Sequence, residues 1–152
     1  MTYRLATISD AKCLAELFWE HTDEFEPRNP ADKATFVSEC AENIKHRLGN
    51  DLYCWVALSD ERVVAHVNVI VAQKIPRPDK IIRKWGRLST VRTIPEFRNR
   101  GIGGELMEKI KLWCREQNFE ELLVGPSEKS FAFYERAGFK SDNEVMELIF
   151  EY

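Results

Sequence analysis

Val91-Arg92-Thr93-Ile94-Pro95-Glu96-Phe97-Arg98-Asn99-Arg100-Gly101-Ile102-Gly103-Gly104 decides how this chain is read. It closes a strand, breaks at Pro95, and turns through two arginines and three glycines into a helix. A helix N-terminus leaves about four backbone N–H groups without partners, and its dipole favours anions. Glycine lets the backbone approach a ligand closely because no Cβ intervenes. With Arg98 and Arg100 beside those donors, the segment has the parts of a pyrophosphate cradle.

Three ligand classes use such a cradle. A Walker loop needs a Lys-Ser or Lys-Thr after its glycines, and none follows here. A dinucleotide turn needs a third glycine where Leu106 stands. Glu120 and Glu121 lie near the spacing of a ribose-binding acid, but they open a strand rather than end one. A glycine-rich turn with no ligand would leave both arginines without a reason.

Outward from this stretch, the pattern predicts a strand over Tyr3–Ile8 and a helix capped by Ser9 or Asp10, with Leu14, Leu17, Phe18 and Phe25 inward. Pro27 and Pro30 end that helix, and Ala31–Leu48 reads as a second. Strands follow at Leu52–Leu58, Val63–Ile75 and Gly86–Ile94, the first two as a hairpin. Ile102–Gln117 is the clearest amphipathic helix. A short strand at Leu122–Val124, a helix from Ser127 to Ala137 closed by Gly138, and a last strand at Val145–Phe150 complete the order. Three consecutive strands and then β-α-β imply a mixed α/β (α+β) fold with helices on both faces of the sheet. The 152 residues suit a single domain.

P-x-x-R-x-x-G-I-G after a strand resembles the acetyl-CoA motif of the GNAT superfamily of N-acetyltransferases. Phe133-Tyr134-Glu135-Arg136-Ala137-Gly138-Phe139 resembles the F-Y-x-x-x-G-F signature of that family's next helix. The predicted strand order also matches, and Leu88 to Phe139 is the diagnostic part. The resemblance implies a mostly antiparallel sheet in which the parallel strands Leu88–Ile94 and Leu122–Val124 splay apart to admit a thioester. It implies that Val91, Arg92 and Thr93 pair with the pantetheine arm of acetyl-CoA. The N–H groups of Arg98, Asn99, Arg100, Gly101, Ile102, Gly103 and Gly104 would hold the pyrophosphate. Ser130 and Phe133 are placed with the cofactor, and Tyr134 is the general acid. Ser127 stands where many relatives have Asn, either touching the pantetheine arm or serving only as an N-cap.

Acetyl transfer to an amine by direct attack is the implied reaction. Relatives often carry a glutamate base on the strand before the phosphate turn. Here Arg87, Ser89, Thr90 and Arg92 occupy it. Glu24, Glu26 or a water relay could serve instead, and His66 is a weaker candidate that reads more readily as a structural histidine. Ser89, with Glu24 and Glu26, is a candidate for contact with the substrate. A non-catalytic acyl-CoA-binding domain and an acetyltransferase of protein lysines or N-termini are the rival readings.

Two regions suggest acceptors of opposite sign. Asp23, Glu24, Glu26 and Asp32, interleaved with Phe18, Trp19 and Phe25, suit a cationic amine. Lys74, Arg77, Lys80, Arg83 and Lys84 suit an anion, or form an ordinary solvated loop. Cys13, Cys40, Cys54 and Cys114 are widely spaced with no zinc-ligand pattern, so no metal is expected and a reducing cytoplasm is the natural setting. A covalent acetyl-cysteine route is disfavoured, since Cys114 falls on a buried helix face. The net charge of -3 argues against nucleic acid, and no apolar run is long enough to span a membrane. The apolar strand Val145–Phe150 would offer an edge for a homodimer.

Overall fold

The chain, seen in a computed structural model, is described at residues 1–25, 32–141 and 145–151, with the backbone alone at 23–25. Strands β1 (Thr2–Leu5), β2 (Leu52–Ser59), β3 (Arg62–Gln73), β4 (Lys84–Thr93) and β5 (Phe119–Val124) form one sheet in sequence order. Pairing is antiparallel as far as β4, and β5 lies parallel to it. A parallel neighbour requires a crossover, and α3 (Ile102–Glu116) supplies it.

Helices α1 (Ala11–Phe25) and α2 (Lys33–Arg47) cover one face of the sheet, and α3 covers the other. Phe18 of α1 lies 5.1 Å from the His66 ring on β3, and Trp19 lies 5.6 Å from Phe36 of α2. On the opposite face, Trp113 of α3 meets Tyr53, Trp55 and Phe119 at 5.0, 6.4 and 5.1 Å. With both faces covered, β3 is a continuous buried run from Val63 to Val69 rather than an alternating one. In α3, Ile102, Leu106, Met107, Ile110, Trp113 and Cys114 form the buried stripe expected from their spacing.

Element ends differ from the sequence reading where side chains compete for caps. Neither Ser9 nor Asp10 caps α1 directly. Thr7 begins a short 3-10 turn, Ile8–Asp10, and its N–H donates to Asp10 Oδ2 at 2.7 Å. The same carboxylate accepts from Arg4 at 2.8 Å, which draws Asp10 into the turn. Asp32 accepts from the Thr35 N–H at 3.0 Å and starts α2 at Lys33. Pro27, Pro30 and Ala31 lie outside the described residues. The helix expected from Ser127 divides into a 3-10 turn, Glu128–Ser130, and α4 (Phe131–Arg136).

Val145–Phe150 forms no strand. Val145, Met146, Leu148, Ile149 and Phe150 are all exposed. β-propensity describes how a side chain suits a pleated surface, and a strand forms only where a partner edge takes up its backbone groups. The expectation of a final strand is corrected accordingly.

Candidate active site

Two irregularities coincide on β4. Asn68 of β3 pairs with Thr90, whereas Val69 pairs with Leu88, so Ser89 is the extra residue of a bulge. The pairing of β4 with β5 ends at Leu88 and Val124, one residue before that bulge. β4 continues to Thr93 with its β5-side edge unpaired, and β5 departs through Gly125 and Pro126. The parallel pair thus opens after Leu88.

A cavity of about 500 Å³ occupies this opening. It is lined by Ser89, Thr90, Val91, Arg92 and Thr93 of β4, Arg98 and Gly103 of the turn into α3, and Ser127, Ser130, Phe133 and Tyr134. His21 of α1 completes the wall. A larger cavity of about 710 Å³ runs between α1 and α2, lined by Lys12, Glu16, Lys33, Glu42 and Lys45 among others, and no residue of β4 or α4 reaches it.

The turn is built by backbone conformation. Asn99 and Gly101 both take left-handed φ values, +61° and +79°, on either side of Arg100. For most residues that conformation is costly, and glycine and asparagine tolerate it best. The first amide to bond back into α3 is Glu105, which donates to the Gly101 carbonyl at 3.1 Å. Among the described residues, the N–H groups of Ile102, Gly103 and Gly104 therefore have no partner, as expected at a helix start. Arg98 differs: its N–H donates to the Pro95 carbonyl at 3.3 Å, and its Nε donates to the Thr93 carbonyl at 3.0 Å. Its amide is thus already engaged, unlike those at the start of α3. Arg100 is exposed and lies over the Phe97 ring at 4.9 Å.

Tyr134 is buried between Phe133 and Phe139, edge-on to both at 5.1 and 5.5 Å. Burial pushes its phenol above its ordinary value, so the hydroxyl keeps its proton at neutral pH. Ser127 Oγ lies 3.0 Å from Ser130 Oγ, and Ser130 Oγ also donates to the Ser127 carbonyl. The Ser127 hydroxyl therefore makes no cap bond of its own and stays beside the cavity.

The sequence model described as the acetyltransferase (GNAT) family matches residues 14–139. The chain belongs to that family. An 87-residue stretch is 26% identical to the glucosamine 6-phosphate N-acetyltransferase of Trypanosoma brucei brucei, covering 57% of each chain. The match thus spans little more than half the length of that curated relative. Among solved structures, a "probable acetyltransferase" superposes at TM-score 0.80 with 20% identity, covering 100% of this chain and 98% of its own. A "predicted acetyltransferase with acetyl-CoA" from Clostridium acetobutylicum superposes at 0.76 with 20% identity, covering 97% and 95%. At these identities the structural likeness is one of fold.

In this GNAT chain, the remaining sequence candidates separate. Gly101 and Gly104 face a neighbouring hollow beside Phe133, and the Ile102 side chain is buried in the core. Glu24 belongs to α1, and Glu26 lies outside the described residues. His66 is 1% exposed and stacked on Phe18. Loss of solvation, followed by the nearby Arg92 and His21, pushes its pKa down to about 3, which makes it a neutral core histidine. Phe18 and Trp19 are engaged in packing rather than in an aromatic cage.

Of the cations after β3, Lys74, Lys80 and Arg83 are held by β5, whereas Arg77 pairs with Asp79. Lys74 meets Glu121 and Glu120 at 2.8 and 3.0 Å, and Arg83 meets Glu120 at 2.9 Å. Arg83, then Lys74, hold the Glu120 carboxyl down at about 2. These charges tie a loop to the sheet. No cysteine lines the cavity, and burial raises all four thiols, Cys114 to about 11.

His21 was absent from the sequence candidates. Its signal was periodicity: it follows Leu17 by four residues and Phe18 by three, on the inward stripe of α1. A histidine on an apolar stripe is usually core, and only the opening in the sheet beneath α1 distinguishes this one.

Proposed function

We propose that the protein transfers the acetyl group of acetyl-CoA to a primary amine of a small molecule, by direct attack through a tetrahedral intermediate. The observation that carries this reading is that one cavity gathers the unpaired edge of β4, the turn into α3 and the Tyr134 hydroxyl. Beside the opening, the backbone of Val91 and the Thr93 N–H suit the amides of the pantetheine arm, the Thr93 carbonyl being held by Arg98. The free N–H groups at the start of α3, with the charges of Arg98 and Arg100, suit the pyrophosphate. A backbone N–H at the bulge can stabilise the oxyanion, and Tyr134 protonates the departing thiolate. The named relative makes glucosamine 6-phosphate the first acceptor to try.

Thermal melting with and without acetyl-CoA tests the donor site, repeated on an Arg98→Ala plus Arg100→Ala variant. A ligand-dependent rise that vanishes in the variant is the expected result. No rise at about 100 times a micromolar Kd, where a few kcal/mol of stabilisation is due, would overturn the reading. Coenzyme A release, followed by chromatography, then ranks glucosamine 6-phosphate, glucosamine, spermidine and a peptide with N-terminal alanine.

A further inference from the structure

We propose that His21 is the base that takes a proton from the acceptor ammonium, a role that rests on the acetyl-transfer reading above. The titratable residues among those described around the cavity are His21, Arg92, Arg98 and Tyr134. Arginine does not release its proton in this setting, and the Tyr134 phenol is raised above an already high value. His21 is the one described lining side chain whose neutral form carries a basic ring nitrogen.

Its position suits the task. α1 covers the face of the sheet that carries His66 and Arg92, whereas Phe133 of α4 lies near Gly103 of α3, on the other face. His21 and Tyr134 thus reach one opening from opposite layers. A donor bound along the α3 turn would leave the α1 side to the amine. Among the described residues, Arg92 from β4, Tyr134 from α4 and Arg98 from the turn line the cavity with His21, and His66 of β3 lies close enough to be coupled to it.

The step balances without any further reagent. One N–H bond of the ammonium breaks, and its proton passes to an imidazole nitrogen. The freed lone pair forms the C–N bond at the thioester carbon, and the carbonyl electrons move to oxygen. They return as the C–S bond breaks. Tyr134 protonates the thiolate and recovers a proton from the nitrogen cation. The imidazolium releases its proton to solvent, leaving an amide, coenzyme A and one proton.

The test compares wild type, His21→Gln and His21→Ala with acetyl-CoA and the best acceptor of the four-amine panel. The expected result is a fall in kcat of about 10²-fold or more at neutral pH in both variants. Acetyl-CoA affinity, read by thermal shift, stays within a few-fold and shows that the variants are folded. The wild-type kcat/KM profile shows a rising limb with pH, and that limb disappears in His21→Gln. Added imidazole restores part of the rate in His21→Ala. A retained kcat and rising limb in His21→Gln would overturn the proposal and move the role to a carboxylate near the end of α1 or to water. A wild type that acetylates none of the panel yet binds acetyl-CoA removes the base with the reaction. Failure to bind acetyl-CoA at all identifies the donor reading as the error.

Discussion

Arg92 Nη1 on β4 donates to the Leu17 carbonyl of α1 at 2.8 Å, across 75 residues of sequence. Arg92 is 7% exposed, so this is a buried, charge-assisted contact. It joins the strand that borders the cleft to the helix turn that precedes His21. Arg92 thus ties β4, which borders the cavity, to α1, the layer that carries His21.

Arg92→Met keeps much of the volume and removes that bond. Hydrogen bonds to charged groups are worth about 1.5–3 kcal/mol, and loss of a buried charge offsets part of this. Urea unfolding should show a loss within that range. Turnover should fall more than acetyl-CoA affinity, because the bond that is lost positions α1 rather than the turn into α3.

Tyr134→Phe removes only the hydroxyl and leaves the edge-on contacts with Phe133 and Phe139. Turnover should drop by about 10²-fold with acetyl-CoA affinity nearly unchanged. Steady-state kinetics and a binding titration read the two separately, and an unchanged kcat would remove Tyr134 from the mechanism.

His66 gives the fold an acid limit. Its pKa is about 3 in the folded chain against an ordinary value of about 6.5, so the unfolded chain binds the extra proton between those values. The stability owed to the neutral ring is whole above about pH 6.5 and is lost as pH falls toward 3, at no more than about 1.4 kcal/mol per pH unit. Glu120, held down at about 2, adds a loss that begins near the ordinary carboxylate pKa of about 4.3. Denaturant midpoints between pH 7.5 and about 5 should fall in the wild type and flatten in His66→Phe.

Gly86→Ala tests the packing beneath the parallel pair. A Cβ there would lie 2.9 Å from Phe119 Cε2 and from Val69 Cγ1, and 3.1 Å from Leu122 Cδ1. These atoms belong to a ring and to packed branched side chains rather than to flexible ends. Overpacking of this kind costs about 1–3 kcal/mol, which a melting comparison would detect. A neutral result would mean that β5 shifts freely against β4.

Much of the molecule was legible from local pattern. Ile102–Glu116 announced itself through the spacing of its apolar residues, and the turn before it through glycines and arginines that local backbone physics requires. Those signals lie within one or two helical turns, so no distant contact has to be known to read them. Caps were less secure, because Asp10 answers both to Thr7 and to Arg4.

The sequence alone determined the order of elements as far as α4, the family resemblance, the glycine-rich turn into α3 and the candidate acid, since each rests on short-range spacing. Tertiary structure alone decided where β4 and β5 part, that Ser89 is the bulged residue, and that His21 reaches the same opening as Tyr134. It also decided that Val145–Phe150, despite its strand-like composition, stays unpaired and exposed. The physical reason is common to all four: register, opening and pairing are relations between segments far apart in the chain, and no local propensity specifies them.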